Sequence, residues 1–271
     1  MQNLHLVRNV SVSEELATNL VPFPVLRILK LDTPYPFNDD VLFRGNSATL
    51  KTLRLQLNSS AVNKLNQSRV FRNKDMVLQN VTIAAAESDW FDHVDSEVNI
   101  EKLMSNLVGS AERLSVRGYK VERACLSAMK QGQGFQNVKV IELHMPLSVF
   151  DVLGLFKALP SLVEHNCSLA SLGPELEHIA ADELPDHIFS TYSDVGKNIQ
   201  IWHPTFFSHL KASETADYIM MLALVCPKLY QLEIPPISFQ GYLARVAKAL
   251  DSGPYSKYAR QLIWRLNVVR K

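Results

Sequence analysis

A six-residue pattern, leucine-x-x-leucine-x-leucine, recurs along this chain of 271 residues and limits the folds that it can adopt. Leu26–Leu31 and Leu50–Leu55 match the pattern in full, and conservative copies begin at Leu78, Val138 and Leu229. Weaker copies begin at Met1, Ala111, Leu162 and Gly196. The nine starts lie 24 to 34 residues apart. Self-similarity at such a period is typical of stacked supersecondary units, and of leucine-rich repeats in particular.

The aligned columns of the nine copies predict strands. The sixth position is apolar throughout, and the fourth is apolar in every copy except the one that contains His165. The fifth position, between them, is always polar. A strand with one buried face requires this alternation, so the third, fifth and seventh side chains should point to an open face. The alternative is a set of unrelated strands in an ordinary α/β domain.

Segments of helical spacing separate the predicted strands. They cover residues 13–20, 60–65, 100–107, 121–129, 147–159, 213–225, 239–250 and 255–268. Alternating strands and helices predict an α/β fold with parallel strands and right-handed crossovers. We expect a leucine-rich-repeat-like solenoid, or horseshoe, with a curved parallel sheet and helices on its convex face. About nine units would occupy residues 1–253, and a capping helix residues 254–271; residues 170–197 are the least regular stretch.

Three segments resemble the leucine-rich-repeat regions of fungal F-box-type proteins. They are YPFNDDVLFRGNSATLKTLRLQL at 35–57, LFKALPSL at 155–162 and LALVCPKLYQLEI at 222–234. The resemblance implies a horseshoe that recruits a protein target, in some members for ubiquitin ligation. Two features depart from that family. No F-box is found ahead of the first repeat, so docking to a Skp-type adaptor is not implied. The asparagine usual after the last leucine is also mostly missing, with Asn58 the one match.

Composition excludes several functional classes. The formal net charge is +1, which gives no overall footprint for nucleic acid. Cys125, Cys167 and Cys226 fall at apolar positions and indicate neither a disulfide framework nor a zinc site. We therefore expect an intracellular protein, cytoplasmic or nuclear, without a transmembrane segment or cofactor. The strand near Leu4 and Leu6 should be an uncapped edge, covered by an upstream segment or by a partner.

The open face is the predicted binding surface for a protein partner of unknown identity. It should be basic in the first half of the chain and acidic in the second, where Trp202 would supply an exposed aromatic side chain. The candidate residues are Lys30, Arg54, Arg113, Arg117, Glu142, His144, Trp202 and Glu233. Exposed aromatic and arginine side chains are enriched among binding hot spots. The alternative is a solvated sheet face with Trp202 packed against a neighbouring element.

Other chemistry in the sequence is weaker, and we predict a protein without enzymatic activity. The acidic run 89–97 lacks the spacing of a calcium loop, and Gly132 and Gly134 follow a helix rather than a strand. His144 and His165 should face opposite sides of the sheet, which argues against a shared ligand. Two alternative functions remain open. One is a repeat-built regulator of the GTPase-activator type. The other is binding to membrane or nucleic acid through the basic segment 255–271.

Overall fold

Strands and helices alternate along the chain, which confirms the predicted α/β class. The computed structural model describes residues 2–6, 24–34, 43, 48–69, 76–86, 95–132, 134–206, 212–233 and 239–266. Two compact units divide the chain, Met1–Val138 and Lys139–Lys271. In both units the described strands pair in parallel and in chain order, as predicted.

The first unit contains five described strands and three described helices. The strands are β1 (Asn3–Leu6), β2 (Ile28–Pro34), β3 (Thr52–Leu57), β4 (Asn80–Ala85) and β5 (Arg113–Arg117). The helices are α1 (Ser59–Gln67), α2 (Asp95–Leu107) and α3 (Tyr119–Lys130), and α2 contacts both of the others. The helix predicted over residues 13–20 lies outside the described residues.

The second unit contains four described strands and a larger set of helices. The strands are β6 (Val140–Ser148), β7 (Glu164–Ser171), β8 (Ile201–Phe206) and β9 (Gln231–Leu232). The helices are α4 (Val149–Ala158), α5 (Pro174–Glu177), α6 (Leu184–Tyr192), α7 (Ala212–Leu224), α8 (Phe239–Asp251) and α9 (Ala259–Arg265), with a 3₁₀ turn over Ser256–Tyr258. Both α5 and α6 fall in the stretch where no helix was predicted.

The fourth column of the repeat forms the centre of the core in the first unit. Neighbouring strands bring its members directly opposite one another, and each is at most 1% exposed. These residues are Leu29, Leu53, Val81 and Leu114. Burial of an aliphatic side chain of this size stabilises a fold by about 1.5–3 kcal/mol. The leucine pattern therefore determines the strand register through burial on one face.

A repeated backbone contact joins consecutive strands within each unit. The carbonyl of Arg27 accepts hydrogen bonds from the N–H groups of both Lys51 and Thr52, at 2.9 and 3.0 Å. Equivalent double contacts join β3 to β4, β4 to β5, β6 to β7, β7 to β8 and β8 to β9. Four side chains that lie just before a repeat also donate a hydrogen bond to a backbone carbonyl near the start of the previous repeat. They are Thr49, Ser110, Asn137 and Asn198. Within each unit, consecutive repeats are thus hydrogen-bonded at the same position of the pattern.

The register of β8 corrects the predicted frame of the eighth repeat. Trp202 pairs with His165, and the carbonyl of Val163 accepts from the N–H groups of Gln200 and Ile201. The repeat therefore begins at Ile199, three residues later than predicted. Because side chains alternate between faces, an odd shift exchanges buried and open positions. Trp202 is 1% exposed, so the prediction that it is an exposed binding residue is wrong.

The last described helix, α9, packs against α7 within the second unit. Leu262 and Leu266 of the α9 region are buried. The guanidinium of Arg265 donates to the carbonyls of Ala223 and Leu224 in the last turn of α7, both at 2.9 Å. Such a cation satisfies carbonyls that have no partner within their own helix. The predicted boundary between solenoid and cap at residue 253 stays a prediction.

Candidate functional site

The open face of the first unit carries the four predicted basic residues. Lys30 and Arg54 stand opposite each other in the fifth column of β2 and β3. Arg113 and Arg117 occupy the third and seventh columns of β5. All four side chains are exposed. The predicted face of these four residues is therefore confirmed, because strand alternation separates them from the buried leucines.

Asp32 is the one carboxylate on the described part of this face. His5 Nε2 donates to its Oδ2 at 2.5 Å, and Arg54 Nε lies 3.1 Å from its Oδ1. The hydrogen bond from His5, together with the positive charge of Arg54, lowers the pKa of Asp32. Asp32 is therefore ionised at neutral pH and partly offsets the charge of Arg54. Arg113, by contrast, forms no ion pair or hydrogen bond with a described side chain.

Neutral polar groups lie between the basic residues of the first unit. Thr82 and Ser115 continue the fifth column beyond Arg54, while Thr52 and Asn80 lie in the third. The Asn80 amide donates to the Thr52 hydroxyl at 3.3 Å. These half-exposed groups can donate and accept hydrogen bonds but carry no charge. The face therefore has separated positive positions with a polar, uncharged strand between them.

The open face of the second unit is acidic and contains two histidines. Glu142 and His144 stand two residues apart on β6, with Oε1 and Nε2 at 3.1 Å. His203 of β8 donates from Nδ1 to Glu233 Oε2 at 2.9 Å, and its Nε2 lies 3.8 Å from Glu164 Oε1. Of these residues, Glu142, His144 and Glu233 were predicted binding residues, and the structure places all three on this face.

His203 is the site residue that the sequence analysis missed. Its backbone lies opposite Asn166, so its side chain belongs to the fifth column, and each ring nitrogen faces a carboxylate. The predicted frame put it outside the seven-residue pattern. The apolar spacing of Ile199 and Trp202, taken as the first and fourth positions, would have placed it correctly. Among the described residues, no three histidine, cysteine or carboxylate side chains are arranged to hold a metal ion.

His165 lies on the opposite, buried side of the same sheet region. It is 0% exposed, and its ring meets that of Phe156 edge-on with centroids 5.5 Å apart. Neither ring nitrogen has a hydrogen-bond partner within the described structure. Burial lowers its pKa to about 3, so the ring is neutral. The prediction that His144 and His165 face opposite sides is confirmed, because His144 is exposed.

The three cysteines offer no reactive thiol in the structure. Cys125, Cys167 and Cys226 are free and buried. Burial raises the pKa of all three thiols, that of Cys167 to about 12. A nucleophilic cysteine requires the thiolate, which an apolar setting disfavours. These side chains therefore pack as small apolar groups.

Two other predicted features are only partly described. Asp89, Asp92 and His93 of the acidic run lie outside the described residues. The basic C-terminal segment is described as far as residue 266, where Lys257 and Tyr258 both bond to the carboxylate of Asp186. The Lys257 ammonium and the Tyr258 hydroxyl, which belong to the segment considered for membrane or nucleic acid binding, therefore already have a partner within the protein. No helix among the described residues has the length and apolar character needed to cross a bilayer.

No protein-family model matches this sequence, and no curated protein matches it either.

Proposed function

We propose that this chain is a non-enzymatic protein-interaction module, built as a leucine-rich-repeat solenoid, whose open sheet faces bind a partner protein. One observation carries the proposal. In each unit the parallel strands bury their fourth column on one side, mainly with apolar side chains, and present polar and charged columns on the other. A regular row of outward side chains on a hydrogen-bonded sheet is suited to recognition, since little backbone order has to be gained on binding.

The chemistry of the described residues favours binding over catalysis. The buried cysteines are unsuited to nucleophilic attack, because burial disfavours the thiolate. Free, buried thiols also fit a reducing compartment, and they support the proposal that the protein acts inside the cell. The ubiquitin-ligase context implied by the F-box resemblance stays a prediction, as does the regulator of the GTPase-activator type.

Site-specific photo-cross-linking tests the proposed function. A benzoyl-phenylalanine at Thr82 or Asn166 would report on the open face of each unit, and the same group at Lys102, exposed on α2, serves as the control. In native cell extract we expect a discrete protein adduct from an open-face position that Lys102 does not give. Adducts that form at Lys102 but at neither open-face position would show that binding uses another surface.

A further inference from the structure

We propose that the open face of the first unit binds an extended acidic segment of a partner protein, with carboxylates four residues apart. This inference rests on the proposed function and adds the chemistry of the partner. The net positive charge of this face supports the inference. Among the described positions of this face there are four arginine or lysine side chains and one carboxylate, Asp32, which is already engaged by His5 and Arg54. An acidic ligand is the complement of such a surface.

The distances between the arginines determine the expected spacing of the carboxylates in the ligand. In register, Arg54 lies opposite Thr82 and then Ser115, with Arg113 two residues before Ser115 and Arg117 two residues after it. Neighbouring strands are about 4.8 Å apart and residues along a strand about 3.3 Å apart, so each β5 arginine is about 12 Å from Arg54. An extended peptide covers about 13 Å in four residues, and side chains at that spacing point the same way.

The neutral strand between the arginines suits a peptide backbone. Thr82 and Asn80 of β4 occupy the gap, and both are half-exposed. Their hydroxyl and amide groups can bond to the main chain of a ligand that crosses the strands. Each carboxylate of that ligand would meet an arginine, which forms charge-assisted hydrogen bonds stronger than those between neutral groups.

Nucleic acid fits the same surface less well. The described positions of this face contain no phenylalanine, tyrosine or tryptophan on which a base would stack. The positive charges are also interrupted by the uncharged strand β4, whereas a nucleic acid backbone carries a charge at every phosphate. A second copy of this chain is another source of carboxylates, because the open face of its second unit is acidic.

Selection from a displayed library of random twelve-residue peptides on the full chain tests the inference. We expect enrichment of peptides with Asp or Glu at residues i and i+4. For a selected, fluorescein-labelled peptide, Arg113→Glu should weaken binding at least tenfold and Arg54→Gln at least threefold. The matched control is Arg123→Glu, the same charge change at an exposed position of α3, which should alter binding less than twofold. Circular dichroism melts would confirm that each variant folds.

Several outcomes would overturn the inference. They are selected peptides without acidic enrichment, binding that Arg113→Glu leaves unchanged, and tighter binding to a single-stranded twelve-nucleotide DNA than to any selected peptide. Self-association in sedimentation experiments that Arg113→Glu abolishes would identify a second copy as the occupant. If photo-cross-linking still gives an open-face adduct while no acidic peptide is selected, the inference fails and the proposed function stands. Adducts from the Lys102 position alone would reject both.

Discussion

Replacement of His165 by leucine should remove most of the acid sensitivity of the second unit above pH 5. His165 is fully buried, with no described partner for either ring nitrogen, and its pKa is lowered to about 3. In the unfolded chain the same side chain titrates near pH 6.5, as free histidine does. Between these two values the unfolded state binds a proton that the native state does not. The free energy of unfolding therefore falls as the pH falls below about 6.5.

The expected magnitude follows from the difference in pKa. One pH unit within the window corresponds to about 1.4 kcal/mol, so lowering the pH from 7 to 5 should cost the native protein about 2 kcal/mol through this group. Asp32 and Asp186 do not contribute at these pH values. Their pKa values are lowered from 3.8, so the stability that they supply is lost only as the pH falls below that value.

Urea unfolding at pH 7 and pH 5, together with hydrogen exchange of the β7 amides, measures the effect. We expect His165→Leu to unfold with nearly equal free energy at the two pH values and to be as stable as the native protein, or about 1 kcal/mol more stable, at pH 7. Leucine already occupies this column at Leu53 and Leu114. His165→Gln is the matched control, because it stays polar but does not titrate. A leucine variant that keeps the full pH dependence, or loses several kcal/mol at pH 7, would refute the reasoning and show that the ring nitrogens are engaged.

Three further substitutions test local features of the fold. Gly118→Ala should destabilise the first unit by about 2 kcal/mol in thermal unfolding, because φ is +107° and the added Cβ would lie 2.5 Å from a neighbouring side-chain carbon. Gly132→Ala is the control and should destabilise the unit less, because its φ is also positive but the space around it is open. Ser148→Ala should cost about 1 kcal/mol by the same measurement, because Ser148 and Asp151 form the capping box of α4. Tyr258→Phe removes the hydroxyl bonded to Asp186, so we expect faster amide exchange in α9 and no change in β6; unchanged exchange in α9 would contradict this role.

Alternation along the strands was enough to predict the faces of the first unit. Lys30, Arg54 and Arg113 were assigned to the open face because leucines at fixed spacing had to be buried on the other. The partners of the Asp32 carboxylate were not predictable. Whether Asp32 meets His5, Arg54 or neither depends on side-chain conformations and strand register, which the pattern alone does not specify.

The eighth repeat shows where the pattern was insufficient. Helices α5 and α6 separate β7 from β8, and the longer connection removed the spacing that guided the other frames. Gly196 was taken as the first position, yet it packs in a turn where a Cβ would lie 2.6 Å from the carbonyl of Val225. The predicted frame put Trp202 on the open face, whereas the alternative, a packed Trp202, agrees with its burial. Loss of that indole through Trp202→Ala should cost about 3–5 kcal/mol rather than leave stability unchanged.

The double hydrogen bond that joins consecutive strands within a unit has a consequence for how such a chain changes over generations. Each pair of bonds joins a repeat only to the one before it, through backbone N–H and carbonyl groups that every residue except proline supplies. Within a unit, duplication or loss of one strand with its following helix would therefore lengthen or shorten the array and leave the other pairings intact. The connection between β7 and β8 holds two helices, α5 and α6, and the two strands still pair in parallel register. The length of a connection can therefore differ from repeat to repeat while the strand pairing is kept.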